Sequence, residues 1–110
     1  MIFDELVRQL QAIPNVQFAE YEWKTRPNGN YGTVQLEFEP DHNSGDDQKL
    51  QRCMEGSVEL FTHGKEMMIV AAVETVLESV CEASWYLNSE QNERDTGLIH
   101  REFVFQIEAR

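Results

Sequence analysis

Apolar positions along the chain recur in two rhythms, one near 3.6 residues and one of two, and their succession predicts the elements. Ile2, Phe3, Leu6, Val7, Leu10 and Ile13 share a helical face, with Asp4 and Glu5 early, where the helix dipole favours carboxylates. Pro14-Asn15 ends this short helix. Over Val16–Trp23 the alternation changes phase, Val16 and Phe18 giving way to Ala19, Tyr21 and Trp23, which predicts a strand bulged near Phe18–Ala19. Arg26-Pro27-Asn28-Gly29-Asn30 carries hairpin-turn chemistry, since Asn and Gly tolerate positive φ. Tyr31–Glu39 is the cleanest strand, with Val34, Leu36 and Phe38 on one side and Thr33, Gln35, Glu37 and Glu39 on the other.

Residues 40–47 form a polar loop, longer than a usual hairpin connection. Leu50–Thr62 reads as a long strand: Leu50, Met54, Val58 and Leu60 share one parity with Arg52, and Cys53, Glu55, Ser57 and Glu59 share the other. Gly56 marks a bulge or a close backbone approach. The main helix runs from Lys65 to about Ser84, with Ile69, Val70, Ala72, Val73, Val76, Leu77, Val80 and Ala83 on one broad face and Glu74, Thr75, Glu78 and Glu82 on the other. Reading Met67–Val73 as a buried strand is the rival, and the spacing of the three Glu favours helix. Trp85, Tyr86 and Leu87 lead into a polar segment, Asn88–Gly97, that ends in a turn. Leu98–Glu108 is a last strand, alternating Ile99, Phe103, Phe105 and Ile107 with His100, Glu102, Gln106 and Glu108. Strands grouped by hairpins with a helix on one face make an α+β fold: an antiparallel sheet of four to five strands, a long helix packed on it and a short N-terminal helix.

Composition narrows the function classes. The 110 residues suit one domain. Twenty acidic against nine basic residues give a formal charge of −11, which argues against gripping nucleic acid by its phosphates and against docking on an anionic membrane. The apolar run Met67–Val73 is far short of a membrane span, and no charged start with an apolar run suggests export. Cys53 and Cys81 are expected to be reduced and buried, so the chain reads as a cytosolic product or part of an assembly made there.

Chemistry is sparse. His42, His63 and His100 lack metal-ligand spacing to one another or to a Cys. Asp41, Asp46 and Asp47 beside His42 are hard ligands, but the loop lacks the pattern of an EF-hand and reads as solvated. Neither Cys sits in a nucleophile's setting, phosphate-binding glycine loops are absent, and Glu74, Glu78 and Glu82 read as a helix surface before they read as acid–base groups. No enzyme, cofactor or metal site is expected. What remains is an acidic wet face, Glu37, Glu39, Glu55 and Glu59 with Glu102 and Glu108, and two projecting polar segments, 40–47 and 88–97. Self-assembly and a soluble acidic monomer fit these equally.

Several strings carry a resemblance: Met1-Ile2-Phe3-Asp4-Glu5-Leu6, Tyr31-Gly32-Thr33-Val34-Gln35-Leu36-Glu37-Phe38, Val58-Glu59-Leu60-Phe61-Thr62 before the long helix, and above all the ending from Asp95-Thr96-Gly97-Leu98-Ile99-His100 to Glu108. In these the chain resembles the tail terminator (tail completion) proteins of long-tailed, non-contractile bacteriophages and prophages over nearly its whole length. The resemblance implies one α+β domain over residues 1–110 and no catalytic residues. It implies a six-membered ring that caps the tail tube, stops tube polymerisation and meets the head connector, in a virion tail assembled in the bacterial cytoplasm. The partners would be other copies of the chain, the tube protein and the connector protein, with DNA passing through unbound and no membrane. Glu37, Glu39, Glu55 and Glu59 are then candidates for an acidic bore or solvent face, and Asp41, His42, Asn43, Asp46, Asp47, Arg94 and Asp95 for contacts with subunits, tube or connector. A head–tail joining or head completion protein is the alternative within such a particle; a monomeric acidic binding module is the alternative outside it.

Overall fold

A computed structural model describes residues 2–37, 53–82 and 84–108. In chain order it contains α1 (Ile2–Gln11), β1 (Gln17–Glu20), β2 (Tyr31–Leu36), β3 (Cys53–Thr62), α2 (Met67–Cys81), β4 (Trp85–Asn92) and β5 (Ile99–Glu108). The strands form one sheet in the order β1-β2-β3-β5-β4. Three of its pairings are antiparallel, and β1 lies parallel to β2. The α+β class and the helix on the sheet agree with the hydrophobic pattern.

Both helices cover one face, here called the inner face. Phe3, Leu6, Val7 and Leu10 of α1 and Ile69, Val70, Val73, Leu77 and Cys81 of α2 join Phe18, Val34, Val58, Leu60, Phe103, Phe105 and Ile107 in one core. The strand residues of that set share one parity, so the registers Val34 with Val58 and Val58 with Phe103 stack them beneath the helices. Gly56 and Gly32 make this stacking possible. A Cβ on Gly56 would lie 2.4 Å from the Gln35 carbonyl oxygen and 2.5 Å from the Phe105 ring; one on Gly32 would lie 2.4 Å from the Phe18 ring. Of the two readings of Gly56, the close approach holds, and the β3 registers run past it without a bulge.

Four expectations change. The predicted bulge at Phe18–Ala19 does not form: β1 pairs in register over Gln17–Glu20 and the chain then leaves the sheet, Tyr21 taking φ 73°. The phase change in the sequence records that exit. Asn28 and Gly29 make no hairpin, because parallel strands need a crossover, and neither residue has positive φ. The connection is stapled instead: the Trp23 indole donates to the Gly32 carbonyl at 3.0 Å, and the Asn30 side chain donates to the Asn15 carbonyl and accepts from the His63 N–H. The polar segment after Leu87 is mostly strand, β4 running to Asn92 with an irregularity between Leu87 and Ser89. Helix α2 begins at Met67 and ends at Cys81, because Glu66 and Glu82 both adopt left-handed backbone, φ 45° and 50°. Ala83 lies outside the described residues.

Arg101, missing from the predicted apolar face of β5, shares its parity and is 2% exposed. Its Nη1 donates to Thr62 Oγ1 and its Nε to Glu90 Oε1, each at 3.3 Å. The buried guanidinium therefore ties β5 to both neighbouring strands.

Candidate functional site

With the helices on the inner face, the opposite face of the sheet is the broad surface left uncovered among the described elements. Strand alternation puts Thr33, Gln35, Glu55, Ser57, Glu59, Phe61, His100, Glu102, Val104 and Gln106 on its parity. Cross-strand pairing sorts these into rows. Thr33, Glu59, Glu102 and Ser89 follow one another across four strands, as do Gln35, Ser57, Val104 and Tyr86.

The acidic row has an electrostatic problem to solve. Glu59 and Glu102 face each other directly, and the neighbouring ladder bonds make theirs a close, non-hydrogen-bonded pair, where like charges repel. Each carboxylate has a partner of its own: Glu59 Oε1 lies 2.6 Å from His100 Nε2, diagonally across the β3–β5 pair, and Glu102 Oε1 accepts from Asn88 Nδ2 at 2.9 Å. A third carboxylate, Glu93, sits 3.3 Å from His100 Nδ1. Glu37 lies at the end of β2, its N–H donating to the Glu55 carbonyl at 2.7 Å and its carboxylate accepting from the buried Ser57 hydroxyl at 3.4 Å. Glu37, Glu55 and Glu59 are thus brought together on one face.

Beside the acids runs an aromatic row that the sequence reading overlooked. Tyr31 stacks on Phe61 at 4.8 Å between ring centroids, and Phe61 on His100 at 4.2 Å. The Arg26 guanidinium lies 5.9 Å from the centre of the Tyr31 ring and donates to its hydroxyl. All three ring residues occupy the wet parity of their strands, and that is the signal: an aromatic where the alternation calls for a polar residue. The row stiffens the face and fixes the ring that holds Glu59.

Arg94 and Asp95 lie elsewhere, exposed on the β4–β5 turn, which Gly97 closes with φ 76° and a hydrogen bond from its N–H to the Glu93 carbonyl. Glu39, Asp41, His42, Asn43, Asp46 and Asp47 lie outside the described residues. Among the described residues no three His, Cys, Asp or Glu side chains are placed to hold a metal ion, and no helix is long and apolar enough to cross a membrane. Cys81 is buried, and burial pushes its thiol up to about 12, away from nucleophile chemistry. What this face offers is a firm, hydrogen-bonded plane of negative charge.

No family model matches the chain, and no curated protein matches it. Among solved structures it is similar to a chain of the virion of a native gene transfer agent (GTA) particle. The two share 14% sequence identity at a TM-score of 0.56, and the match spans 94% of this chain and 90% of the other. At that identity the likeness is one of fold.

Proposed function

We propose that the chain is a structural, non-enzymatic subunit of a phage-like virion, and that within it the chain is the tail terminator: a ring, six-membered by the resemblance, that caps the tail tube, stops its polymerisation and meets the head connector. The observation that carries this reading is the fold shared end to end with a chain of a gene transfer agent virion. The acidic sheet face supports it. Lined by Glu37, Glu55 and Glu59 and repeated around a ring, that face makes a bore that repels DNA phosphates and lets a genome slide without adhering. The exposed turn at Arg94 and Asp95 and the loop over residues 40–47 are assigned to contacts with neighbouring subunits, tube or connector.

In-frame deletion of the gene in a particle-producing host tests the role. Tails of uncontrolled length beside unjoined heads are expected in electron micrographs. Tails of normal length beside unjoined heads would transfer the chain to head–tail joining, and normal joined particles would refute a virion role. Deleting Asn43–Asp46 alone should leave the protein folded while abolishing joining; normal particle yield from that variant would remove the loop from the interface.

A further inference from the structure

The two edges of the sheet are unequal. Edge strand β1 is four residues long, and its pairing with β2 aims the Gln17, Ala19 and Tyr21 amides inward, leaving Phe18 and Glu20 facing out. Both outward carbonyls are engaged: Phe18 O accepts from Gln11 Nε2 at 3.3 Å, and Glu20 O from the Glu22 N–H at 3.0 Å. That edge is short, and its outward acceptors are already taken.

Edge strand β4 is eight residues long. The Gln106 N–H donates to the Ser84 carbonyl and the Glu93 N–H to the Leu98 carbonyl, which fixes the phase of the β4–β5 ladder at both ends. In that phase, with one residue absorbed by the irregularity at Asn88, the main-chain groups of Trp85, Leu87, Glu90 and Asn92 point away from β5. Among the described residues, no strand or loop covers that side. Tyr86 and Leu87 are 56% and 43% exposed beside it.

Charge selects the occupant. From Met67 to Asn92 the chain carries Glu74, Glu78, Glu82 and Glu90 and no Lys, Arg or His. Glu78 is brought to the edge by the Trp85 indole, which donates to it at 2.8 Å, and Glu102 by Asn88. Arg101 offsets Glu90 from beneath but is sealed from solvent. A second copy docked β4 to β4 would bring these acids against themselves, and the short β1 edge has both outward carbonyls already engaged. We propose that the open edge of β4 binds an extended segment of a different protein by strand addition, apolar where it meets Trp85, Tyr86 and Leu87 and basic where it passes Glu90. This rests on the edge and its charge and stands apart from the terminator role.

The test uses the full chain and two synthetic eight-residue probes, capped at both ends, one alternating Val with Lys and one alternating Val with Glu. Amide hydrogen exchange is followed by NMR. The Val/Lys probe should slow exchange at Trp85, Leu87, Glu90 and Asn92 at least tenfold, leave the laddered Ser89 and Gln91 amides unchanged, and outcompete the Val/Glu probe. Leu87→Pro removes an outward N–H without breaking the ladder to β5, and should abolish the effect. Should that variant fail to fold, Leu87→Lys keeps the amide and adds a repelling charge, and should weaken binding of the Val/Lys probe at least fivefold. No slowing with the Val/Lys probe, equal slowing with both probes, or slowing that grows with protein concentration alone would each overturn the proposal, the last by assigning the edge to a second copy.

Discussion

Gly56 carries more of the fold than its size suggests. The Phe105 ring and the Gln35 carbonyl occupy the space where a Cβ would stand, and the carbonyl, being backbone, cannot swing aside. Gly56→Ala is therefore expected to cost about 2 kcal/mol, in the range of other overpacking changes, and to lower the thermal midpoint visibly. An unchanged midpoint would mean the strands have room the structure does not give them. Cys81 makes a different kind of prediction. Its thiol is held up to about 12 by burial, whereas in the unfolded chain it ionises near its ordinary value of 9.0. Below about pH 9 both states hold the proton and the full stability is present; from there to about pH 12 only the unfolded state releases it, so stability falls as pH rises. Denaturant titrations of the wild type and Cys81→Ala should show their difference shrinking across that window. In a Cys53→Ser background, Cys81 should resist thiol reagents at pH 8 until the protein unfolds.

Among the elements, α2 is bounded by strain rather than by capping side chains. Glu66 has no side-chain cap hydrogen bond, and Glu82 takes a left-handed backbone while placing a negative charge at the negative end of the helix dipole. Glu82→Gly relieves both and should stabilise the protein by about 0.5–1 kcal/mol in chemical denaturation; a loss of stability would show that the side chain has a role of its own. Helices, β2, β3 and β5 were legible in the sequence because each buries one face, and burial writes a period into the residues. β4 was not, for the same reason, and β1 was legible as a strand but not in its extent. β1 has four residues, and the change of phase where Tyr21 turns the chain out of the sheet reads as a bulge in a longer strand. In β4, Glu90 and Asn92 occupy the inner parity at the margin of the core, so the segment reads as polar loop although its backbone pairs with β5 on both sides of the irregularity at Asn88. The acidic face was readable strand by strand, but its cross-strand rows required the register, and Arg101 was hidden because a buried guanidinium defies its type.

For the whole molecule the charge of −11 acquires a location. Glu55 and Glu59 stand on the face of a central strand opposite the two helices, so reversing them changes the field there without touching the core beneath the helices. Glu55→Lys with Glu59→Lys should make the purified protein retain duplex DNA on a native gel at low salt, where the wild type does not, and the retention should vanish as salt rises. DNA binding equal to the wild type would deny that this face sets the interaction.

The inequality of the two sheet edges has a consequence for solubility. A sheet open on both sides can grow without limit, each addition exposing a fresh template. This one favours a single side: with the outward carbonyls of the short β1 taken by its own Gln11 and Glu22, addition is directed to β4. Two copies joined through β4 would show the solvent only their short β1 edges, poor in free acceptors, so geometry disfavours fibre growth by this route before charge is considered.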